Sequence, residues 1–489
     1  MSVETFRPNE FDAERHYYPR TLNATLHPLV GSFMRMSTKR IISRYCNLHP
    51  LTSRERLTEI LTTAPKHLHW SGSDVFNIST ENGVKLKYIV ETNSCPSGQK
   101  SFPLLDDDAE EGGYRRLLER TFLPLLRKRT RGETEGEVVV LYDKNPMEAS
   151  GYAQVLATIM ERPVHLVPCR ASNPERYLAI EDRRLKVLLD GQMRDVLCAF
   201  RYVTQRPWTR LPINLRTPIL NPIIACLAGG RNKTTASKAY DLFNSEQRAF
   251  GLEIQTPQSY TNVRKAEVPL AFQRLGGKAV VKVPYLNAGQ GIYTLVSERE
   301  LANFMQLDHP YDEFIVQQLV GNFRWSSTSS KGKVFHIGTV PDKHDAAYVF
   351  DIRVMVSWQE TEYRPVAMYA RRAPLAMSSE VPEKSDSWLV LGTNLSKKVG
   401  DEEWETEPKR LLMMDRKDFH KLGLGLDDLI DSYVQAVMAN RAIDDLAQQL
   451  SKRGGGLRRD LFRSLNNDEE LLNEVREDVR VKKNGSEAE

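Results

Sequence analysis

The sequence predicts a fold of the mixed α/β and α+β kind, built from several packed units. The chain has 489 residues, which corresponds to about three units of ordinary domain size. An almost wholly apolar strand at residues 137–142 is followed by a helical pattern and a second strand at 163–167, which is the order of a βαβ unit. Beyond residue 277, short apolar strands alternate with helical patterns.

The composition argues against a disordered protein and against a dedicated nucleic-acid binder. Hydrophobic residues make up 40% and charged residues 27% of the chain, so there is enough apolar content for buried sheets and wholesale disorder is excluded. The 68 basic and 64 acidic residues leave a net charge of only +4. This balance argues against a dedicated nucleic-acid binder, which concentrates a basic excess on one face.

Cysteine usage and the N-terminal residues indicate the compartment. The five cysteines are an odd number without CxxC spacing, which is typical of reduced thiols. Residues 1–5 lack the charged head and apolar core of a signal peptide. No run approaches the roughly 18 apolar residues that span a bilayer. We therefore expect a cytoplasmic protein without a membrane partner.

The N-terminal part reads as helices followed by a strand and a further helix. Residues 1–65 carry mixed helical patterns, and residues 84–91 begin with the alternation of a half-buried strand. Helix-like sequence follows at 113–128. The polar stretch 130–136 is typical of a linker before the next unit.

The second unit contains the βαβ order and a hairpin. Its helix is expected to run to Met160 before the chain returns as a strand. Two further strands, at 184–189 and 196–201, flank Asp190-Gly191. An Asp-Gly pair between apolar runs is typical of a tight β-hairpin turn.

The remaining elements continue the alternation of strands and helices. Helical sequence at 245–275 leads into a strand at 277–283, a glycine-containing loop and a strand at 291–296. A helix is expected to begin at Ser297. The later predictions are strands at 314–320, 349–357 and 364–372, helical sequence at 415–450, and a charged tail at 466–489.

A metal site is predicted at the end of the strand at 84–91. Glu91 and Asn93 are two residues apart and would project to one face of an extended strand. Carboxylate and amide oxygens suit the Mg²⁺ that accompanies ATP phosphates, and Asp74 could add a second acid from a neighbouring strand. The alternative is that this E-x-N triplet arises by chance beside a turn.

A phosphate site is predicted around Lys282, the one lysine among the otherwise apolar residues 280–283 of the strand at 277–283. A lysine in such a strand calls for an anionic partner. The loop after it, which contains Asn287, Gly289, Gln290 and Gly291, would let backbone N–H groups approach phosphate oxygens. A Walker A sequence is absent, and a protein kinase would place its glycine loop before the lysine. The alternative is an edge-strand lysine beside a glycine hairpin.

Three later segments are candidates for nucleotide and substrate contacts. The strand at 314–320 could offer backbone groups of Gln317, Gln318 and Leu319 to an adenine edge. Asp351-Ile352-Arg353 and Arg371-Arg372 place acid and base on two strands, and arginine donates paired hydrogen bonds to phosphates or carboxylates. A structural salt bridge explains these arginines almost as well. The polar loop at 392–398, with Asn394, could close over a site.

The order of these parts resembles the ATP-grasp superfamily, in which two lobes hold ATP between them. Because the E-x-N pair comes first here, the chain resembles the circularly permuted branch that includes eukaryotic glutathione synthetase. Residues 198–202 (C-A-F-R-Y) and 227–233 (L-A-G-G-R-N-K) resemble two further motifs of that family. The likeness covers about residues 70–400 with degenerate motifs. Leu286 stands where the family has a metal-binding glutamate, so a different ligase is implied.

The resemblance implies an ATP-dependent carboxylate–amine ligase that releases ADP and phosphate through an acylphosphate. It implies Mg²⁺ ligands Asp74, Glu91 and Asn93, and catalytic Arg353, Arg371 or Arg372. The implied ATP contacts are Lys233, Lys282, Asn287, Gly289, Gln290, Gly291, Gln317, Gln318, Leu319 and Asp351, and the implied substrate contacts are Ser94, Ser97, Arg201 and Asn394. The implied divisions are a helical segment with the permuted part of the core (1–132), a substrate domain (133–235), a nucleotide lobe (240–345), the rest of the core (346–450) and a tail (451–489).

Two other functions stay open on the sequence. A phosphotransferase of the same fold would phosphorylate a small molecule without joining it to an amine. A degenerate scaffold would keep the fold for protein binding. Under the ligase hypothesis the partners are a small carboxylate and an amine, such as an amino acid or short peptide, with no nucleic acid; a homodimer is left open.

Overall fold

A computed structural model describes residues 2–106, 109–170, 172–173, 175–286, 289–309, 311–330, 332–380, 386–398 and 404–477. Its strands are β1 (Glu4–Phe6), β2 (Trp70–Thr80), β3 (Lys85–Asn93), β4 (Glu137–Tyr142), β5 (Val164–Pro168), β6 (Leu178–Glu181), β7 (Arg184–Leu189), β8 (Gln192–Tyr202), β9 (Ser259–Arg264), β10 (Ala279–Lys282), β11 (Ile292–Leu295), β12 (Glu313–Gln318), β13 (Val334–His336), β14 (Phe350–Gln359), β15 (Glu362–Arg372), β16 (Ser396–Lys398), β17 (Trp404–Thr406) and β18 (Leu411–Leu412). Its α-helices are α1 (Ala13–His16), α2 (Pro19–Leu22), α3 (Pro28–Arg35), α4 (Thr38–Leu48), α5 (Arg54–Thr62), α6 (Gly112–Leu117), α7 (Leu123–Thr130), α8 (Pro146–Met160), α9 (Ile223–Ala225), α10 (Lys233–Gln247), α11 (Val268–Arg274), α12 (Glu298–Gln306), α13 (Trp388–Leu391), α14 (Leu426–Leu450), α15 (Arg459–Leu465) and α16 (Glu469–Glu474).

The predicted mixed fold is confirmed, and its central sheet contains the predicted βαβ unit. The strand order is β1-β5-β4-β8-β7-β6, with β4 parallel to both β5 and β8. The apolar residues 138–141 of β4 are fully buried. The hairpin β7–β8 turns at Asp190 and Gly191, whose φ angles of 50° and 76° suit an Asp-Gly turn.

A four-stranded antiparallel sheet, β11-β10-β12-β9, forms a smaller unit with its own apolar core. Helices α11 and α12 contribute Phe272 and Phe304 to that core. The side chain of Ser297 caps α12 by accepting from the backbone N–H of Glu300, as its position in the sequence predicts. Strand β9 lies in a stretch predicted to be helical, so that part of the prediction is wrong.

The third sheet, β13-β2-β14-β15-β18 with β3 paired to β2, brings the predicted site residues together. Its register places Asp74 on β2 opposite Glu91 on β3 and opposite Arg353 on β14. Helix α14 begins at Leu426, later than the helical pattern indicates, and packs on β3, β2 and β14. A continuous apolar core joins α14, this sheet and the central sheet.

The chain ends in helices α15 and α16, and residues 478–489 of the predicted tail lie outside the described residues. Among the helices that the structure describes, none combines the length and the apolar character needed to cross a membrane.

Candidate active site

The structure brings Glu91 next to Lys282, almost 200 positions later in the chain. Both line one cavity of about 530 Å³, which we name the Lys282 cavity, together with Lys233 and Gln317. Glu91 lies near the end of β3 and Lys282 is the last residue of β10, so two different sheets supply the two charges. Glu91 and Lys282 therefore line the same cavity, as the sequence predicts.

Lys282 is a buried cation whose hydrogen-bond partner is an amide. It is 5% exposed, and its Nζ donates to Gln317 Oε1 at 2.6 Å. In the described part of the chain it makes no ion pair with a carboxylate. Burial lowers its pKa to about 8, a shift that Glu91 and Asp74 oppose and the charge of Lys233 reinforces. Such an ammonium group would be stabilised by an anion such as phosphate.

A cleft of about 700 Å³, which we name the apolar cleft, adjoins the Lys282 cavity and shares Glu91, Lys282 and Gln317 with it. Val280 and Ile292 line it from the small sheet. The rest of its apolar lining consists of Phe76, Val90, Pro257, Val320, Trp388 and Leu391. These apolar walls suit the faces of a planar ligand, and the polar lining residues could contact its edge.

Leu319 does not serve the role predicted for it. Its backbone N–H donates to Ser327 Oγ at 2.8 Å, and its carbonyl accepts from the backbone N–H of Ser327 at 3.0 Å. Its side chain is buried in a separate apolar cluster. The strand β12 therefore presents the side chains of Gln317 and Gln318 to the cleft, while the backbone of Leu319 is already occupied.

The glycine-containing loop lies against the loop at 392–395. Gly289 and Gly291 have φ angles of 77° and 62°, where a side chain is strained. A Cβ atom on Gly289 would come within 2.9 Å of Asn394 Nδ2 and 3.1 Å of the Trp388 ring. Gln290 lies between the two glycines and is partly buried. Asn287, also predicted to contact ATP, lies outside the described residues.

Lys233 fixes the start of that loop. Its Nζ donates to the carbonyl of Leu286 at 2.5 Å, and its backbone N–H donates to the carbonyl of Pro284 at 3.0 Å. The same Nζ lies 3.3 Å from Glu91 Oε1. Lys233 therefore links the acid of β3 to the loop that follows Lys282.

Asp74 is held by two arginines, which corrects its predicted role as a metal ligand. Arg353 donates to both of its carboxylate oxygens, at 2.6 and 2.7 Å, and Arg371 Nη2 lies 2.8 Å from Oδ2. Burial would raise the pKa of Asp74, but the two guanidinium groups outweigh it and hold that pKa at about 2. Both oxygens are thus committed to guanidinium groups.

Arg371, not Arg372, faces the site. Arg371 is buried, donates to Asp351 Oδ1 at 2.9 Å and lines the apolar cleft together with Asp351. Successive residues of a strand point to opposite faces. The guanidinium of Arg372 accordingly stacks over the ring of Tyr348 at 4.2 Å, so the catalytic role predicted for Arg372 is wrong.

The residues predicted to hold Mg²⁺ do not form a metal site. Asp74 is occupied by its arginines, Asn93 Oδ1 accepts from Arg231 at 2.9 Å, and Glu91 pairs with Lys233. Across the described ranges, no cluster of three or more His, Cys, Asp or Glu residues could hold a metal ion. A cation would have to displace arginine side chains to reach the oxygens of Asp74 and Asn93.

A second cavity, of about 760 Å³, is lined mainly by basic and polar side chains, and we name it the basic cavity. Its cations are Lys100, Lys144, Arg231, Arg353 and Arg371, and its acid is Glu91. Lys100 and Lys144 were not predicted from the sequence, because neither stands in a recognisable motif. Burial lowers the pKa of Lys144 to about 8. Positive charge from several elements suits an anionic ligand.

The four predicted substrate contacts divide into two pairs. Ser97 and Asn394 line the basic cavity. Arg201 is fully buried and donates to the carbonyls of Asn221 and Val203, so its guanidinium supports the fold. Ser94 is also fully buried, with its Oγ 3.4 Å from Cys226 Sγ. The substrate roles predicted for Arg201 and Ser94 are therefore wrong.

Glu148, on α8, holds the loop that forms one side of the basic cavity. Ser97 Oγ donates to Glu148 Oε2 at 2.6 Å, and the backbone N–H groups of Gly98 and Gln99 donate to Oε1 at 2.8 and 3.0 Å. The carboxylate is completely buried. These three donors from residues 97–99 fix the path of the chain between β3 and Lys100.

We expect Glu148→Ala to lower the free energy of unfolding by about 3 kcal/mol, because buried N–H groups lose their carboxyl acceptor. Urea denaturation measures the change. Glu161→Ala, at the end of the same helix, is the control and should shift stability by no more than about 0.5 kcal/mol. Equal stabilities of Glu148→Ala and the parent protein would contradict this anchoring role.

The chain is similar to several solved structures. No model of a protein family and no curated protein matches the sequence. Similar solved structures include a RimK-domain ATP-grasp protein from Sphaerobacter thermophilus (14% identity, 47% of this chain and 90% of that one, TM-score 0.29). A glutathione synthetase-like effector from Globodera pallida has 11% identity over 73% of this chain and 86% of its own, with a TM-score of 0.38.

D-alanyl-alanine synthetase A from Vibrio cholerae is a third similar structure, with 13% identity over 62% of this chain and 98% of its own and a TM-score of 0.32. The three similar structures are thus an ATP-grasp protein, a glutathione synthetase-like effector and a D-alanyl-alanine synthetase, all with TM-scores below 0.5.

Proposed function

We propose that this chain is an ATP-dependent carboxylate–amine ligase of the ATP-grasp type, which forms an amide or peptide bond and releases ADP and phosphate. One observation carries the proposal: the apolar cleft and the basic cavity meet at Glu91, Arg371 and Asn394. A nucleotide in the cleft would direct its phosphates to the point where an anionic substrate enters from the other side. Reactions that transfer a phosphoryl group depend on such positioning.

The lining residues suggest where each part of ATP would bind and how the two chemical steps would follow. The base would lie between the apolar walls, and the phosphates would lie against Lys282 and Lys233. A substrate carboxylate oxygen would attack the γ-phosphorus while the bond from that phosphorus to the β–γ bridging oxygen breaks, which gives an acylphosphate and ADP. A neutral amine would then attack the acyl carbon, the C–O bond to phosphate would break, and the proton lost by the nitrogen would leave with the phosphate.

Arg371 and Arg353 would stabilise the negative charge on the transferring group, because they lie at the junction and beside it. The loop containing Gly289 and Gly291 would exclude water, which otherwise hydrolyses an acylphosphate. Magnesium would arrive with the nucleotide. Since the described residues do not build a metal site, no step is assigned to it.

The substrate carboxylate would bind in the basic cavity, among Lys100, Lys144 and Arg231. This charge favours an amino acid or short peptide that carries a carboxylate.

We expect Lys144→Met to raise the KM for the carboxylate substrate about tenfold, the effect of losing one charge-assisted contact. The KM for ATP should stay within twofold of the parent value.

The measurement is a steady-state titration of each substrate with the other saturating. Lys128→Met, an exposed lysine on α7, serves as the control and should change neither constant. An equal rise in both KM values for Lys144→Met would mean that the basic cavity does not bind the carboxylate separately.

The proposal is tested by an ADP-release screen of the purified protein with ATP, Mg²⁺, amino acids and short peptides, followed by mass spectrometry of any hit. An amide product together with ADP is expected. A phosphorylated product that forms without an amine would instead identify a small-molecule kinase of the same fold.

Binding of ATP separates either enzyme from a non-catalytic scaffold. ATP at about 100 times its Kd should raise the free energy of unfolding by about 2.7 kcal/mol. The increase should vanish in Lys282→Met. A parent protein that ATP does not stabilise would support the scaffold, and the ligase proposal would fail.

A further inference from the structure

Two buried polar atoms beside the apolar cleft have no hydrogen-bond partner within the described ranges: Gln318 Nε2 and His336 Nδ1. Both residues line the cleft, and they are only 3% and 8% exposed. A buried polar group without a partner destabilises the fold. Their presence side by side in one cleft calls for a ligand that satisfies both.

Chain connectivity and hydrogen bonds bring the two residues to the same part of the cleft. Gln318 is the last residue of β12, and Val320, two residues further on, also lines the cleft. The ring of His336, on β13, forms a hydrogen bond with the backbone of Val320, and its own backbone N–H donates to Gly321. The ring of Phe76 packs against that of His336 at 4.5 Å.

The existing hydrogen bonds determine what each atom can do. Gln318 Oε1 accepts from the backbone N–H of Gln258 at 3.3 Å, which leaves Nε2 as a donor. The ring of His336 bonds the backbone of Val320, and Nδ1 has no partner among the described residues, so we assign the neutral tautomer that donates through Nε2 and keeps its lone pair on Nδ1. Burial lowers the pKa of His336 to about 3, and the ring is neutral at physiological pH. The cleft therefore offers one acceptor next to one donor.

We propose that His336 and Gln318 read the base of the nucleotide, with His336 Nδ1 accepting from the 6-amino group of adenine and Gln318 Nε2 donating to its ring nitrogen N1. This inference rests on the proposed use of ATP and names the residues that select its base. Val280 and Ile292 on one wall and Leu391 on another would enclose the ring faces. The backbone of Leu319, occupied by Ser327, is not needed for the task.

Purine riboside triphosphate tests this assignment, because it keeps N1 and lacks the 6-amino group. The dissociation constants of ATP and of this analogue are measured by calorimetry on the full chain. Loss of the acceptor in His336→Leu should weaken ATP about tenfold and leave the analogue unchanged, as expected for one hydrogen bond. Gln318→Met should weaken both ligands by the same factor, since both carry N1.

Two further variants make the test specific. His336→Asn can place an amide oxygen near the position of Nδ1 and should restore much of the preference for ATP. Phe335→Leu is the matched control, because Phe335 points to the other face of β13 and packs on Phe323 at 5.3 Å. It should leave both dissociation constants unchanged.

The outcomes separate this inference from the proposed function. If neither ligand binds the parent protein, the proposed function fails and this inference fails with it. If both bind, and both are lost in Lys282→Met, but His336→Leu keeps the parent ratio of the two constants, only the base assignment is overturned. GTP binding more tightly than ATP to the parent protein would also overturn it.

Discussion

Replacing Lys282 by methionine is expected to lower kcat/KM for ATP by at least about a hundredfold, because a buried charge that faces the phosphates contributes several kcal/mol to binding and transfer. Lys282 has no carboxylate partner among the described residues, so its charge remains available for a ligand. Steady-state kinetics or direct ATP titration measures the loss. Lys278→Met, four residues earlier and outside the lining of the three cavities, is the control.

The same substitution should stabilise the protein without ligand. The pKa of Lys282 falls from 10.5 to about 8 on burial, and a lowered folded-state pKa means that the protonated group destabilises the fold at neutral pH. The difference corresponds to about 3 kcal/mol below pH 8 and disappears as pH rises to 10.5. Met loses the hydrogen bond to Gln317, which offsets about 1 kcal/mol.

We therefore expect Lys282→Met to raise the free energy of unfolding at pH 7 by about 2 kcal/mol, a gain obtained at the expense of function. Urea denaturation at pH 7 and pH 10 measures it, and the gain should shrink at the higher pH. A destabilised variant with unchanged ATP kinetics would mean that Lys282 is a structural residue.

Deprotonation of Lys282 should also make kcat/KM for ATP depend on pH in the parent enzyme. kcat/KM for ATP reports the free enzyme, so it should decline above about pH 8 as Lys282 loses its proton. Lys282→Arg keeps its charge over this range and should lack the decline. A decline that is identical in Lys282→Arg would have to come from another group, such as Lys144.

Local patterns predicted the local elements of this fold. The apolar run of β4, the helix α8 and the Asp-Gly hairpin each depend on residues close together in sequence, and each is present. Strand β9 was missed although Tyr260, Thr261 and Val263 favour a strand. Helical sequence on either side of it, in α10 and α11, led to a helical prediction for the whole stretch 245–275.

Residue roles in the site depended on long-range pairing, which the sequence does not display. An alternating strand indicates that only one of Arg371 and Arg372 can face a ligand, but the pairing of β15 with β14 decides which one. Arg201 looked like a substrate contact in its motif, yet its donors meet backbone carbonyls. His336 lies on a three-residue strand with no motif around it, so only the structure reveals it.

The role of Asp74 also depends on long-range pairing that the sequence does not display. The second large effect is expected for Asp74→Asn, which should lower the free energy of unfolding by about 3–5 kcal/mol. This substitution leaves Arg353 and Arg371 buried with one fewer negative charge, and a broken buried ion pair has a penalty of that size. Among the described residues, Asp351, which accepts from Arg371, would remain as the buried acid beside them.

The effect should depend on pH with a defined sign. The pKa of Asp74 is lowered from 3.8 to about 2, so its ionised form stabilises the fold above pH 4 and this contribution is lost as pH falls towards 2. The difference between parent and Asp74→Asn should therefore shrink by about 2 kcal/mol between pH 5 and pH 2. Asp308→Asn, an exposed acid, should show no such change.

A double-mutant cycle with Arg353→Met distinguishes the two roles of Asp74. If the carboxylate acts by holding the guanidinium, the two substitutions should be coupled by at least about 1 kcal/mol in unfolding experiments without magnesium. A metal ligand would give the opposite pattern: little coupling without the ion, unchanged stability in Asp74→Asn, and a higher magnesium concentration needed for activity. Because both oxygens of Asp74 already accept from Arg353 at 2.6 and 2.7 Å, we expect the coupling to be present.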